Sequence, residues 1–120
     1  MGVHYCETTQ TLYVADTYNH KIKIIQGSPS TKSPLKDWIG TSAERNPTVI
    51  DGSGDKVRLN EPNGCWTKYK NGKVEGLYVA DTGNNCVRFV DNDGNVTTLD
   101  FKGIPDAREA CSEGVCKPVF

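Results

Sequence analysis

The chain has 120 residues, enough for one small domain, and its charge is nearly balanced, with 14 basic and 15 acidic side chains. This balance disfavours a broad positive surface of the kind that binds nucleic acid or an anionic membrane. The sequence has no apolar run of about 18 residues and no N-terminal signal-peptide pattern, so we predict no membrane span and expect a cytoplasmic location.

In chain order, the predicted strands form two sets of four. The first set covers residues 3–7, 12–15, 21–25 and 35–39, and the second covers 65–69, 77–80, 86–90 and 96–100. The third strand of each set is the clearest, because Ile22 and Ile24 alternate with lysines, and Val87 and Phe89 alternate with Cys86 and Arg88. A period of two places one row of a strand on a core and the other row toward water.

The two sets are copies of one unit. The sequence LYVADTYNHKIKII at residues 12–25 returns as LYVADTGNNCVRFV at residues 77–90. Repeated units of four short antiparallel strands are typical of β-propeller blades. We therefore predict an all-β fold with one blade over about residues 1–62, a second over about 63–100, and an irregular tail or linker over 101–120 that has room for one short helix.

The repeated ADT segment lies where the chain reverses between the second and third strands. Asp and Thr side chains bond backbone amides in turns, and Asn tolerates a left-handed conformation. We interpret the following as structural turn residues: Asp16, Thr17, Asn19, Asp81, Thr82 and Asn84. On this interpretation Asp81→Ala costs about 1–2 kcal/mol of stability. Acid–base or metal-binding roles are disfavoured, because a residue that recurs in both copies of a repeat is expected to have a structural role in the repeat.

The five cysteines are an odd number, so they cannot all pair within one chain. Cys6, Cys65 and Cys86 lie in predicted strands, where a reduced thiol packs as a small apolar side chain. Cys111 and Cys116 can form a disulfide or stay reduced, and without a nearby histidine they are a weak metal signal. We interpret the cysteines as structural thiols in a reducing compartment, and we expect no metal and no cofactor.

The motif resembles the signature of the NHL repeat, which runs from an aromatic-rich strand through Ala-Asp-Thr and Asn-His to an alternating strand. The resemblance covers about residues 2–100. It implies blades of a six-bladed propeller, in a family with members that carry a thioredoxin-like domain before the propeller. It also implies a structural hydrogen bond for His20, which stands at the histidine of the signature. The second copy departs from the signature, since Asn84 is followed by Asn85.

The function implied by this resemblance is a non-catalytic interaction module in a scaffold that binds another protein. In a propeller, the connection over residues 40–62 shares a face with the ADT turns, and its candidate interaction rim consists of Tyr18, Arg45, Lys56 and Arg58. One alternative is RNA binding at this rim, although acidic residues in the same loop offset its charge. Another alternative is a lyase or hydrolase that uses the central channel. The two histidines, His4 and His20, cannot supply the zinc site that a related peptide-amidating lyase builds from several blades.

Two blades leave blade faces uncovered, and repeat proteins need about three or more units to bury a continuous core. We therefore predict either a piece of a longer propeller, which we favour, or several copies that close a ring. The expected partners are the remaining blades, from the same longer chain or from other copies, and one unidentified protein. We expect no membrane and no nucleic acid among the partners.

Overall fold

The computed structural model describes residues 1–27, 33–42 and 49–99. Arg45, Cys111, Cys116 and the predicted tail lie outside these residues. Within the described ranges the chain forms nine strands and three short 3-10 turns, with no α-helix. The prediction of an all-β fold is confirmed.

The first sheet is a four-stranded antiparallel meander. Its strands are β1 (Gly2–Cys6), β2 (Thr11–Asp16), β3 (Lys21–Ile25) and β4 (Lys36–Gly40), and each pairs with the next along the chain. The β1–β2 register pairs His4 with Tyr13, and the β2–β3 register pairs Tyr13 with Ile24. These three residues therefore share one face of the first sheet.

The second sheet has five strands in the order β5-β9-β8-β7-β6. These are β5 (Gly52–Ser53), β6 (Pro62–Lys70), β7 (Lys73–Asp81), β8 (Cys86–Asp91) and β9 (Asn95–Thr98). The β6–β7 hairpin is longer than its counterpart in the first sheet. It closes through Asn71 and Gly72, whose φ angles of 54° and 75° are those that a two-residue hairpin turn requires.

The connection between the blades belongs partly to the second sheet. Gly52 and Ser53 of β5 pair with Val96 and Asn95 of β9, so β5 forms the outer edge of the second blade. The structure thus places residues 52–53 in the second sheet, not in a first blade that extends to about residue 62. A two-residue strand at a sheet edge carries almost no periodicity, so the sequence pattern could not indicate it.

One apolar core joins the two sheets, and we call this contact the seam. Its buried residues are Cys6, Tyr13, Ala15, Ile22, Ile24, Ile39, Val57, Leu59, Leu77, Val79, Val90 and Val96. Fully burying one large aliphatic side chain contributes about 1.5–3 kcal/mol, so the stacked sheets stabilise each other.

The buried row of β8 differs from the row that its apolar residues suggest. Arg88 and Val90 are buried, while Val87 and Phe89 remain partly exposed. In the first sheet, Ile22 and Ile24 are the buried residues of β3. The two blades meet through opposite faces of equivalent sheets, so the row that is buried in β3 corresponds to the outward row in β8.

Candidate functional site at the seam

The two ADT turns have the same geometry. Asn19 Nδ2 donates to Asp16 Oδ2 at 3.0 Å, and Asn84 Nδ2 donates to Asp81 Oδ2 at 2.8 Å. The left-handed residue of each turn is the one that follows the asparagine, with φ of 58° at His20 and 53° at Asn85. The carboxylate therefore holds an asparagine side chain three residues on, and not an amide of its own turn.

The threonines of the two turns contribute little to this geometry. Thr82 Oγ1 donates to the carbonyl of Ala80 at 3.5 Å, which is long for a hydrogen bond. Thr17 Oγ1 is buried without a hydrogen-bond partner among the described residues. The aspartate and the asparagine are therefore the side chains that define the turn.

Asp81 does more than shape its turn. Its Oδ1 accepts a 2.7 Å hydrogen bond from the amide of Asn60, which belongs to the connection between the blades. Its Oδ2 accepts a 2.8 Å hydrogen bond from Arg88 Nη1. Both side chains are fully buried. An ionised pair in such a place is stable only when its remaining groups are also hydrogen-bonded.

The two Nη atoms of the Arg88 guanidinium meet this requirement with main-chain and carboxylate acceptors. Nη1 donates to the carbonyl of Arg58, and Nη2 donates to the carbonyl of Ile50 and to Asp51 Oδ1, each at 2.8 Å. Asp51 also accepts a hydrogen bond from Thr98 Oγ1 at 2.8 Å. The arginine thus attaches the connection between the blades to the second sheet.

The charge of Asp51 supports this arrangement. Partial burial acts to raise its pKa, but hydrogen bonds from Thr98 and Arg88 outweigh burial and hold the pKa of Asp51 below its ordinary value. Arg88 therefore faces two carboxylates, of which Asp51 is held ionised by these bonds. Arg88 Nε has no hydrogen-bond partner among the described residues.

His20 holds the next residue of the same connection from the other blade. Its Nδ1 accepts a 3.0 Å hydrogen bond from the amide of Glu61, and the ring is buried. An accepting Nδ1 requires a neutral ring with its proton on Nε2. The resemblance implied a structural hydrogen bond for His20, and its donor is a backbone amide. Consecutive amides, at Asn60 and Glu61, are thus held by the second and first blades respectively.

His4 also lies at the seam. Its Nε2 lies 2.9 Å from Thr67 Oγ1 and accepts from the amide of Thr67 at 3.4 Å, while its ring contacts Trp66 with centroids 5.1 Å apart. Burial lowers the pKa of His4, which favours the neutral ring that this geometry needs. Neither histidine hydrogen-bonds to a carboxylate in the described part of the chain, so neither forms a histidine–acid pair.

Three residues of the candidate interaction rim, Tyr18, Lys56 and Arg58, lie in the described part of the chain. Tyr18 is 82% exposed in the first turn, and Lys56 is exposed in the 3-10 turn Gly54–Lys56. Arg58 Nη1 donates to the carbonyls of Asp55 and Val57, at 2.9 and 3.3 Å. Within the described ranges, no hydrogen bond or ring contact joins Tyr18 to Lys56 or Arg58.

Three of the five thiols lie in the described part of the chain, where each is buried or half-buried. Cys6, Cys65 and Cys86 are free, and burial is the main reason why the pKa of both Cys65 and Cys86 rises to about 11. Such thiols are protonated and weakly nucleophilic near neutral pH. The described residues contain no group of three or more His, Cys, Asp and Glu side chains that could hold a metal ion.

A search of the described residues for a helix long and apolar enough to cross a membrane found none.

The seam contains functional residues that the sequence analysis missed. Arg88 and Asp51 were not singled out, and the role of the amides at Asn60 and Glu61 carries no side-chain signal at all. A signal for Arg88 was present, since β8 pairs with β7 and places Arg88 diagonally from Asp81, with Asp81 itself opposite Cys86. Opposite charges on neighbouring strands of one hairpin are candidates for such a pair.

No protein-family model matches the chain. The chain is 38% identical over 91 residues to NHL repeat-containing protein 2 of Homo sapiens, which covers 76% of this chain and 11% of that protein. It is 34% identical over 103 residues to Protein SUPPRESSOR OF QUENCHING 1, chloroplastic, of Arabidopsis thaliana, which covers 82% of this chain and 9% of that protein. The chain therefore spans only a small part of the curated relatives that it matches.

Solved structures share the fold. An auxiliary nutrient binding protein from Bacteroides thetaiotaomicron aligns with a TM-score of 0.70 and 20% identity, over 84% of this chain and 25% of that one. A putative phosphatase from the same organism aligns with a TM-score of 0.67 and 21% identity, over 93% of this chain and 24% of that one. The repeated turn, the stacked meanders and these relatives lead to one conclusion: the chain belongs to the NHL-repeat family, and its two sheets are β-propeller blades.

Proposed function

We propose that the chain is a non-catalytic binding module, part of an NHL-type propeller in a scaffold that holds another protein. This proposal rests on one observation: the polar groups at the seam are engaged in hydrogen bonds within the molecule. Asp81 accepts hydrogen bonds from the amide of Asn60 and from the side chains of Asn84 and Arg88. These bonds join Asp81 to the connection between the blades, to its own turn and to β8. The residues that the sequence offered for chemistry are thus engaged in structure.

The histidines support the same proposal. A general base needs a free nitrogen within reach of a substrate proton, usually with a partner that orients the ring. His20 Nδ1 and His4 Nε2 instead accept from amides of the second blade and its connection. A channel lyase or hydrolase would need other groups than these two rings.

The turn face is the surface that we propose for the protein partner. Tyr18 extends from the first turn with most of its side chain in solvent. Tyrosine is enriched in protein interfaces because a large rigid ring and a polar hydroxyl are presented together. Lys56 adds a positive charge in the connection between the blades, although acidic Asp55 precedes it. This mixed charge favours a protein partner over RNA.

The three described thiols are free, and burial raises the pKa of Cys65 and Cys86; these thiols fit a reducing compartment, so we propose a cytoplasmic location. Secretion of the natural protein with oxidised cysteines would contradict this location without bearing on the binding role.

A surface-variant capture experiment tests the binding role. Full-length chain, Tyr18→Asp and the control Asp93→Ala would be immobilised and exposed to cell extract, with captured proteins identified by mass spectrometry. Asp93 is an exposed residue of the β8–β9 turn, away from Tyr18 in the sequence. We expect specific proteins to be retained by the wild type and by Asp93→Ala and to be lost with Tyr18→Asp.

Identical capture by all three chains would contradict the turn face as the binding surface. Retention of RNA that falls steeply as salt is raised would favour the RNA-binding alternative. Turnover of a peptide or ester substrate by the purified chain would favour the enzymatic one.

A further inference from the structure

The β6–β7 hairpin extends further than the equivalent hairpin of the first blade. The two hairpins align so that the last pair of the first, Cys6 with Thr11, corresponds to Lys68 with Gly76 in the second. Beyond that pair the first hairpin continues only with ETTQ, whereas the second continues with YKNGKVE at residues 69–75, which we call the tip. The tip therefore belongs to the second blade alone, and the repeat does not require its side chains.

Two exposed lysines of the tip are direct neighbours. Lys70 and Lys73 are opposite each other in the β6–β7 register, so both side chains leave the same face of the hairpin. Residues in such a pair have Cβ atoms about 4.5–5.5 Å apart, and like charges there destabilise the hairpin. In the described part of the chain neither lysine forms an ion pair, whereas Lys68 pairs with Glu75 at 3.3 Å. The tip thus holds two uncompensated positive charges.

The backbone of the tip is held in place on both of its strands. On β6, Tyr69 Oη lies 3.2 Å from Cys6 Sγ of the first blade. On β7, the carbonyl of Val74 accepts a 2.9 Å hydrogen bond from Asn92 Nδ2. Ordering a flexible loop upon binding lowers affinity, so a tip that is already held in place keeps this cost small.

We propose that the tip binds an acidic segment of a partner protein, with a Glu or Asp carboxylate placed between Lys70 and Lys73. A carboxylate has two oxygens that accept hydrogen bonds from ammonium groups, so one carboxylate contacts both lysines. The inference rests on the proposed role in protein binding and adds a second surface. This surface lies at the Lys73 end of β7, and the ADT turn lies at the Asp81 end.

The small size of the positive surface favours a protein segment over RNA or a membrane. Segments that bind anionic lipids usually have clusters of about four to eight Lys and Arg residues. Nucleic-acid affinity likewise depends on many phosphate contacts, each of which releases counterions. The tip offers two uncompensated lysines, in a chain whose net charge is −1. A short acidic segment matches a patch of this size.

Fluorescence anisotropy of a labelled oligoglutamate peptide, titrated with the purified full-length chain, tests the proposal. We expect saturable binding that weakens as salt is raised, because exposed charges are screened. Lys70→Glu and Lys73→Glu should each weaken binding on the order of tenfold. Lys36→Glu makes the same charge change at an exposed lysine of the first blade, and this matched control should bind as the wild type does.

The melting temperature separates an effect on binding from an effect on folding. Lys73→Glu places a carboxylate opposite Lys70, and a cross-strand pair of opposite charges stabilises a hairpin. We therefore expect Lys73→Glu to melt at the wild-type temperature or slightly above it while it loses affinity for the peptide. A residue with a purely structural role would lose stability and binding together. A lower Tm for Lys73→Glu overturns the argument from repulsion between the lysines, and the proposal with it.

The binding assay has further outcomes that overturn the proposal. Equal binding by the wild type and both tip variants does so, as does an equal loss in Lys36→Glu, which would assign the binding to net charge. Tighter binding of an RNA oligonucleotide or of phosphatidylserine vesicles than of oligoglutamate overturns the choice of a protein segment. Tyr18→Asp should bind oligoglutamate as the wild type does, so the Tyr18 capture experiment and this assay test the two surfaces separately.

Discussion

Asp16 in the first blade and Asp81 in the second occupy the same place in the repeat, and each accepts a hydrogen bond from the asparagine three residues later. Beyond that bond their surroundings differ. Asp16 pairs with Lys23 at 3.4 Å, and both side chains retain solvent contact. Asp81 pairs with Arg88 at 2.8 Å, with both side chains fully buried.

The connection between the blades causes this difference. Its amide at Asn60 donates to Asp81, and its carbonyl at Asn60 accepts from the amide of Gly83 at 2.8 Å. The position equivalent to Gly83 in the first turn is Tyr18, which is exposed. A repeated motif thus determines the local turn, while the segment that covers it determines how much stability its aspartate contributes.

The largest effect is expected when the carboxylate of Asp81 is removed. Asp81→Ala leaves the Arg88 charge buried with one carboxylate fewer, and removing one partner of a buried pair costs about 3–5 kcal/mol. This exceeds the 1–2 kcal/mol expected from the turn alone, because the turn interpretation did not include the buried arginine. Asp16→Ala should cost about 1 kcal/mol or less, since its ion pair is partly solvated. Urea denaturation measures both, and equal losses would contradict the comparison.

Substituting the cation that pairs with each aspartate also tests the difference between the two blades. Arg88→Lys replaces a planar fork that reaches two carboxylates and two carbonyls with a single nitrogen, so we expect a loss of about 2–3 kcal/mol. Lys23→Arg, the matched change in the first blade, should alter stability by less than about 0.5 kcal/mol. Thermal unfolding of the two variants measures this, and comparable shifts in Tm would show that Arg88 is not the buried hub.

Adding one methyl group at equivalent glycines sharpens the comparison of the two blade faces. Gly2→Ala forces a Cβ against the carbonyl of Asn63 and should cost about 1–3 kcal/mol. Gly64→Ala meets open space and should change the stability of one chain by less than about 0.5 kcal/mol. Denaturation at low protein concentration isolates the single chain. A larger loss at Gly64 than at Gly2 would reverse the assignment of the covered and open faces.

The smallest effect is a pH dependence that only the first blade has, because Trp66 stands in the second blade where His4 stands in the first. Burial holds the pKa of His4 below its ordinary 6.5, so the folded state binds fewer protons than the unfolded state. The stabilisation by neutral His4 is fully present above pH 6.5 and is lost as pH falls through 6.5 toward the lower folded pKa.

His4→Gln should therefore flatten the dependence of stability on pH between about 7 and 5. Unfolding curves at a series of pH values measure the slope. The carboxylates with lowered pKa, such as Asp51, do not affect this window, because their stabilisation is lost only as pH falls through a folded pKa below 3.8. An unchanged slope in His4→Gln would remove His4 as the titrating group.

Several elements could be predicted because their causes are local. The alternation of Ile22 and Ile24 with lysines indicates a strand, and the repeated ADT segment indicates the same turn twice. In the structure, the strands β3 and β8 begin at Lys21 and Cys86, where the sequence analysis placed them. Hairpin pairing followed as well, since consecutive strands in an antiparallel meander pair with their neighbours.

The partners of the candidate site depended on the tertiary structure. Asp81 and Arg88 lie seven residues apart, but the carbonyl of Ile50 and the amide of Asn60 reach them from a connection with no periodic pattern. His4 meets Thr67, which lies 63 residues away in the sequence. The sequence by itself determined the fold class, the repeat and the shape of its turns, because these follow from backbone propensities and from contacts a few residues apart. Only the tertiary structure decided which face of each blade is buried, because a strand has two faces and the stacking of a distant sheet selects one of them.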